Sequence, residues 1–255
     1  MKKYEETILT IRSLSNNTKN KPLIIHINPI GLFRMDKNNQ NRFEKLNMLL
    51  KKVQVNGGNI AIPSYSYSYT KNEIYNVLDT TSTLGGVSEY LRVNNKNKRT
   101  ADANFSYLLF GDKFSEMHFS MSDYSSFGGE SLVNEVFSKN GYLGVIGGVW
   151  EHLTEIHYLE KCFDVDYRFD KDFYGISIDS DGNQVQNRMT YFCRDLSLNY
   201  SSSLAQFKRD IRAEGLVKTW VISDFNLKIE VIEARELFNF IKKKLSIDLK
   251  YLWKR

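Results

Sequence analysis

Residues 140–160 read NGYLGVIGGVWEHLTEIHYLE. Tyr142 to Ile146 is an apolar run of buried-strand length, Gly147 and Gly148 make a tight turn, and Leu153 to Lys161 fits a short helix. A strand that runs through a turn into a helix is the repeating unit of an α/β sheet, whose strands present ligands at their carboxyl ends. On the helix, Thr154, His157 and Glu160 recur every three residues and share one face, while Glu151 sits in the turn ahead. A neutral imidazole with a carboxylate on its far nitrogen is an oriented general base, able to take a proton from an amine or hydroxyl. His157, Glu151 and Glu160 are therefore the catalytic candidates, although the same spacing also describes an idle helix surface.

The flanking sequence alternates strand and helix patterns. Leu23 to Ile27 and Asn59 to Ile62 are β-rich runs ended by Asn28-Pro29 and Pro63, and Phe105 to Phe110 is another buried strand. Phe43, Leu46, Leu50 and Val53 mark a helix closed by Asn56-Gly57-Gly58, and Thr83 to Arg92 opens a second. Leu204, Phe207 and Ile211 predict a helix ending near Gly215, and Leu237, Phe240 and Ile241 a C-terminal one whose solvated face carries Lys242, Lys243 and Lys244. Residues 34–42 and 94–98 read as exposed loops. The fold class is α/β, a central mixed sheet flanked by helices, and residues 1–255 are expected to form one domain.

Composition narrows the function. The chain has 255 residues, 42% of them hydrophobic and 25% charged, which is ordinary for a globular protein. No apolar run approaches the ~18 residues that span a bilayer, and the N-terminus lacks a secretory pattern, so a cytoplasmic protein with no membrane partner is expected. The formal charge of +5 comes from dispersed Lys and Arg, without the clustered patch of a nucleic-acid binder. It favours anionic ligands and disfavours polycations. Cys162 and Cys193 read as buried free thiols, and His26, His118, His152 and His157 form no zinc pattern, so no metal is expected. After Pro63, SYSYSYT predicts an extended segment with tyrosines on one face and serines on the other, suited to a sugar or a nucleotide base.

These segments, taken in order, resemble the aminoglycoside 3-N-acetyltransferase-like family of CoA-dependent N-acyltransferases. The resemblance rests on LIIHINPIG at 23–31, GGNIAIPSYSYS at 57–68, TTSTLGGVSEYLR at 80–92, RTADANFS at 99–106, SSFGGES at 125–131 and TEIHYLE at 154–160. It implies acyl transfer from a CoA thioester to a primary amine, with His157 as general base and Glu151, six positions earlier, orienting it. For CoA the resemblance points to His26, Asn28, Ser64, Arg99, Thr100 and Ser106; a guanidinium and a hydroxyl suit phosphate or amide groups. His26 reads equally well as a hydrogen-bonded core histidine at a strand end.

Two departures bear on the acceptor. Family members acting on aminoglycosides carry an HPxHS segment where this chain has Asp102-Ala103-Asn104-Phe105-Ser106, and two serines after the early histidine where this chain has Ile27-Asn28. The Asp-then-Phe version resembles members that acylate nucleotide-linked deoxysugars. The expected reaction is thus acylation of a dTDP- or UDP-linked amino-deoxyhexose for surface polysaccharide, with acetyl-CoA or 3-hydroxybutyryl-CoA as co-substrate. Tyr65, Tyr67 and Asp102 are the candidates for the sugar pocket. Aminoglycoside 3-N-acetylation is the second reading. A hydrolase lacks a GxSxG elbow, and a carbohydrate-binding module would leave His157 idle. Self-association into a homo-oligomer is left open.

Overall fold

The computed structural model describes residues 2–35, 41–95, 98–198, 201–202 and 204–254. In chain order these form α1 (Lys2–Thr18), β1 (Leu23–Ile27), α2 (Arg42–Val55), β2 (Ile60–Pro63), β3 (Tyr75–Asn76), α3 (Gly86–Asn94), β4 (Tyr107–Phe110), β5 (Tyr124–Ser125), α4 (Leu132–Ser138), β6 (Tyr142–Ile146) and α5 (Ile156–Cys162). There follow β7 (Arg168–Ile178), β8 (Gln184–Arg194), β9 (Ser201–Ser202), α6 (Ala205–Ala213), β10 (Lys218–Ile222), β11 (Leu227–Glu233), α7 (Ala234–Ile247) and β12 (Trp253–Lys254). The expected mixed sheet flanked by helices is what forms.

Its six strands run β10-β11-β6-β1-β2-β4. The central three, β6, β1 and β2, are parallel, and β11 and β4 flank them antiparallel. Alternation along each strand splits the core in two. Leu23, Ile25, Ile60, Ile62, Leu108 and Phe110 face one side, against Leu14 of α1, Leu46, Leu50 and Val53 of α2 and Leu91 of α3. Ile24, Ala61, Leu109, Leu143 and Val145 face the other, against Val133 of α4, Leu159 of α5, Phe207 of α6 and Ile241 of α7. Burial on both faces explains why these strands read as continuous apolar runs.

Because β1, β2 and β6 are parallel, their carboxyl ends gather at one edge, at Asn28, Ser64 and Gly147. The loops after β1 and β6 touch there: a Cβ on Gly31 would lie 2.6 Å from the Gly147 nitrogen, and Gly147 takes φ +86°. Glycine at both positions lets the backbones meet.

A second sheet, β3-β7-β8-β5, is built on a hairpin with eleven-residue strands that the sequence reading did not anticipate. Other elements shift locally. The helix expected from Leu153 begins at Ile156, after a single turn of 3-10 helix at Trp150–His152, and Phe105 lies outside β4. SYSYSYT does not alternate: Ser64, Ser66, Ser68, Tyr65 and Tyr69 are all buried, because Tyr67 at φ +56° breaks the extended backbone. Tyr69 then turns to Ser177 and Asn187 of the hairpin. Both cysteines are free as expected, but neither is buried: Cys162 is exposed and Cys193 half-buried. Of the expected loops, residues 36–40 and 96–97 lie outside the described residues; Arg42 already belongs to α2 and Asn94 to α3.

One buried ionic cluster stands in the scaffold. His118 Nε2 lies 2.6 Å from Glu135, which also pairs with Lys139 at 2.6 Å. Burial pushes the Glu135 carboxyl up, but the His118 and Lys139 contacts prevail and hold it at about 2, against an ordinary 4.5. A carboxylate depressed by folding stabilises the fold above its unfolded value, and that contribution disappears as pH falls from about 4.5 through about 2. Melting temperature should therefore drop over this interval, and more shallowly in Glu135→Gln; parallel curves for the two proteins would refute the assignment.

Candidate active site

His157 projects from the first turn of α5. Its Nδ1 lies 2.6 Å from Glu160 Oε2, one helical turn on, as the spacing predicted. Glu160 is almost completely buried and is held by three groups: His157, the Tyr167 hydroxyl at 3.0 Å, and Arg168 Nε at 2.7 Å. Burial pushes its carboxyl up, but the His157 and Arg168 contacts outweigh that and hold it below the usual carboxylate range. An ionised carboxylate only accepts, so Nδ1 of a neutral ring must carry the hydrogen and Nε2 the lone pair. Facing that lone pair, Arg168 NH2 lies 3.3 Å away.

The ring is 16% exposed and stands edge-on to Phe127 at 5.7 Å between centroids. Phe127 adjoins Phe105 at 5.0 Å, and Phe105 adjoins Tyr67 at 5.1 Å and Tyr191 at 4.8 Å. The loop after β2, the turn before β4, the segment after β5 and strand β8 thus each supply one ring of a cluster that reaches His157 through Phe127. Burial, with Tyr191, Glu155 and Asp102 nearby, pushes the Tyr67 hydroxyl up to about 12, so it is a hydrogen-bond donor at neutral pH.

Glu151 does not join this group. The 3-10 turn points it outward, where it pairs with Lys208 at 2.9 Å. Glu155, which sequence reasoning missed, is the acid buried beneath the site. Its Oε2 lies 2.7 Å from His26 Nε2, and its Oε1 lies 2.8 and 3.1 Å from the Tyr107 and Tyr65 hydroxyls. Burial raises this carboxyl, but the facing His26 and the Tyr107 hydroxyl prevail and keep it low. This network ties the end of β1 to the residue that opens α5, and so fixes where His157 stands.

The other candidates divide into cleft and scaffold. His26 and Asn28 line a cleft of about 300 Å³ at the carboxyl ends of β1 and β2, with Pro29, Pro63, Leu84 and Val87 among its walls. Asn28 also caps the turn after β1, its Oδ1 accepting from the Ile30 amide. The Ser64 hydroxyl is buried without a partner. Arg99 is 1% exposed; Nε donates to the Ser106 hydroxyl at 3.0 Å, NH2 to the Ser64 carbonyl at 2.7 Å and NH1 to the Thr80 carbonyl. Ser106 donates to the Ser64 carbonyl, and the Thr100 hydroxyl accepts from the Tyr107 amide. The structure therefore places Arg99, Thr100 and Ser106 behind the cleft, as braces of its wall. Asp102 likewise accepts from the Asn104 and Phe105 amides, stapling the turn that presents Phe105; burial pushes its carboxyl up, only partly offset by the Phe105 amide. Of the proposed sugar contacts, Tyr65 is in the buried network and Tyr67 faces the rings. Among the described residues no group of three or more His, Cys, Asp or Glu side chains converges as a metal site would require, and no helix is long and apolar enough to cross a membrane.

The family model for aminoglycoside 3-N-acetyltransferases matches residues 38–246. No curated protein sequence matches the chain. Solved structures share the fold at low identity. Apo aminoglycoside acetyltransferase AAC(3)-IVa superposes with TM-score 0.64 at 19% identity, over 96% of this chain and 90% of that one. Sisomicin-bound AAC-VIa gives 0.69 at 14%, over 94% and 96%, and AAC-IIIb as a binary complex with CoASH gives 0.65 at 12%, over 92% and 96%. These matches overturn the expected nucleotide-linked amino-deoxysugar and favour the second reading. The charge argument behind that expectation fails for a physical reason: net charge weights every residue alike, whereas beyond roughly 8–10 Å exposed charges are screened from a cleft.

Proposed function

The chain belongs to the aminoglycoside 3-N-acetyltransferase family and is an acyl-CoA-dependent N-acyltransferase, and we propose that it carries the acetyl group of acetyl-CoA to the 3-amino group of an aminoglycoside, with His157 as general base. The observation that carries the role of His157 is its ring, hydrogen-bonded at Nδ1 to a buried carboxylate and edge-on to Phe127.

The chemistry follows from that tautomer. An ammonium has no lone pair to attack with, so the acceptor nitrogen must reach the thioester carbonyl neutral or lose a proton as it does so. Nε2 takes that proton, and Glu160 stabilises the imidazolium that forms. The N–C bond forms, the C–S bond breaks, and the proton on Nε2 passes to the departing sulfur. Attack is direct, so neither cysteine is needed. Aromatic faces such as Tyr67, Phe127 and Tyr191 suit the apolar faces of sugar rings.

For the donor, the cleft at β1 and β2 supports a pantetheine arm. Pro29, Ile62, Pro63, Leu84 and Val87 offer apolar walls, and the Ser64 hydroxyl is a free polar group just beyond Pro63. Leu84, 43% exposed, stands in this wall. Leu84→Trp should raise KM for acetyl-CoA on the order of tenfold and leave kcat nearly unchanged, because it removes binding shared by ground and transition states. An unaltered KM would place the donor elsewhere.

Incubation with acetyl-CoA and a panel of kanamycin, gentamicin and sisomicin, read by thiol release and by mass, tests the reaction. The expected product carries one added acetyl group on the 3-amine. Stabilisation by CoA with no thiol release from any of the panel would refute the acceptor while keeping the donor.

A further inference from the structure

Arg168 has no place in the proton transfer described above, yet it touches both ends of the base. It enters at the first residue of β7, 4% exposed at its side chain, and its guanidinium is held at two further points: Nε lies 2.7 Å from Glu160 Oε2, and NH1 donates to the Phe192 carbonyl on β8 at 3.2 Å. Its NH2 is left 3.3 Å from His157 Nε2. A guanidinium cannot accept, so a hydrogen bond at this distance requires Nε2 to be bare. The contact therefore selects the same tautomer as Glu160, from the opposite side of the ring.

We propose that Arg168 is a positioning residue that caps the base: in the resting protein its guanidinium holds the His157 ring in the tautomer with the lone pair on Nε2, until the acceptor amine takes its place. This rests on the reading of His157 as general base and adds how that base is kept ready. A buried carboxylate alone, 2.6 Å from Nδ1, would favour imidazolium, which cannot act as a base. A fixed cation against Nε2 opposes it. The balance involves few groups. Glu160 faces the ring from α5, Arg168 from β7 and the uncharged Phe127 from the segment after β5; Tyr191 on β8 adjoins Arg168, and Tyr167 reaches only Glu160. Burial raises both tyrosines, so both are neutral at working pH.

Nitrogen NMR of the ligand-free protein, with the His157 signals assigned by their loss in His157→Gln, should show hydrogen on Nδ1 and a bare Nε2. A ring carrying its hydrogen on Nε2 overturns the proposal without any variant at Arg168. In Arg168→Gln the ring should take up its proton at higher pH, and the low-pH limb of kcat/KM should move up with it, while KM for acetyl-CoA stays within a few-fold. Arg168→Lys retains the charge beside Glu160 and should shift both less. A loss of rate with the same fraction at every pH and no movement of the ring titration would mean that Arg168 only braces the fold. A ring titration that moves while the rate limb stays fixed supports the cap and refutes His157 as the base, so the two readings fail separately.

Discussion

His157→Gln should lower kcat about a thousandfold and leave acetyl-CoA binding intact. A positioned general base contributes roughly 10²–10⁴ in rate, and the middle of that range suits a base whose tautomer is fixed from both sides. Glutamine keeps much of the shape and can donate to Glu160 while accepting from Arg168, so neither charge is stranded and the melting temperature should hold within a few degrees. The amide cannot take a proton at neutral pH, so only the transfer step suffers. Stabilisation by CoA, read as a rise in melting temperature, serves as the internal control: it should match that of the unsubstituted chain. Thiol release at near wild-type rate would remove His157 from the mechanism, and the candidate next in reach of buried carboxylate chemistry would be His26, paired with Glu155 at the cleft.

The parts of this site that sequence could show are those in which local periodicity sets the geometry. The three-residue spacing of His157 and Glu160 survives because both lie on α5, where the helix fixes their approach. Glu151 lies only six positions before His157, but a 3-10 turn and a bend intervene, and spacing has no meaning across them. Glu155 was hidden by distance in the chain: His26, Tyr65 and Tyr107 lie 129, 90 and 48 residues away. Arg168 follows His157 by eleven residues, beyond the end of the helix and at the start of a second sheet.

The same logic divides the fold. The central strands are buried on both faces and announce themselves as apolar runs. The β7–β8 hairpin is exposed along most of β7, where Asp170, Lys171 and Asp172 break any alternation, so no strand is predicted there. Its available signal was Asp181-Gly182, a turn pair between two runs containing aromatic residues.

Arg99→Met should cost more stability than any change at the catalytic face, and it separates two meanings of a buried arginine. The resemblance offered Arg99 as a ligand for CoA phosphate; the structure commits three of its N–H groups to the Ser106 hydroxyl and the Ser64 and Thr80 carbonyls, and lays the guanidinium over Tyr75 at 5.1 Å. Burial lowers its affinity for the proton, and a cation is kept there only because these acceptors surround it. Methionine matches the length and the apolar stacking but strands the acceptors. At about 1–3 kcal/mol for each buried group left unpaired, the cost is about 2–6 kcal/mol, because Ser64 retains the bond from Ser106 and two acceptors remain. For a chain of this size that corresponds to a fall of roughly 10 °C in melting temperature. Measured well below that transition, KM for acetyl-CoA should change by less than about threefold, since no phosphate contact is lost, whereas removing one charged hydrogen bond to a phosphate would cost about 1.5–3 kcal/mol, roughly ten- to a hundredfold. A variant that melts normally but binds acetyl-CoA tens of times more weakly would return Arg99 to the donor site and move the wall of the cleft with it.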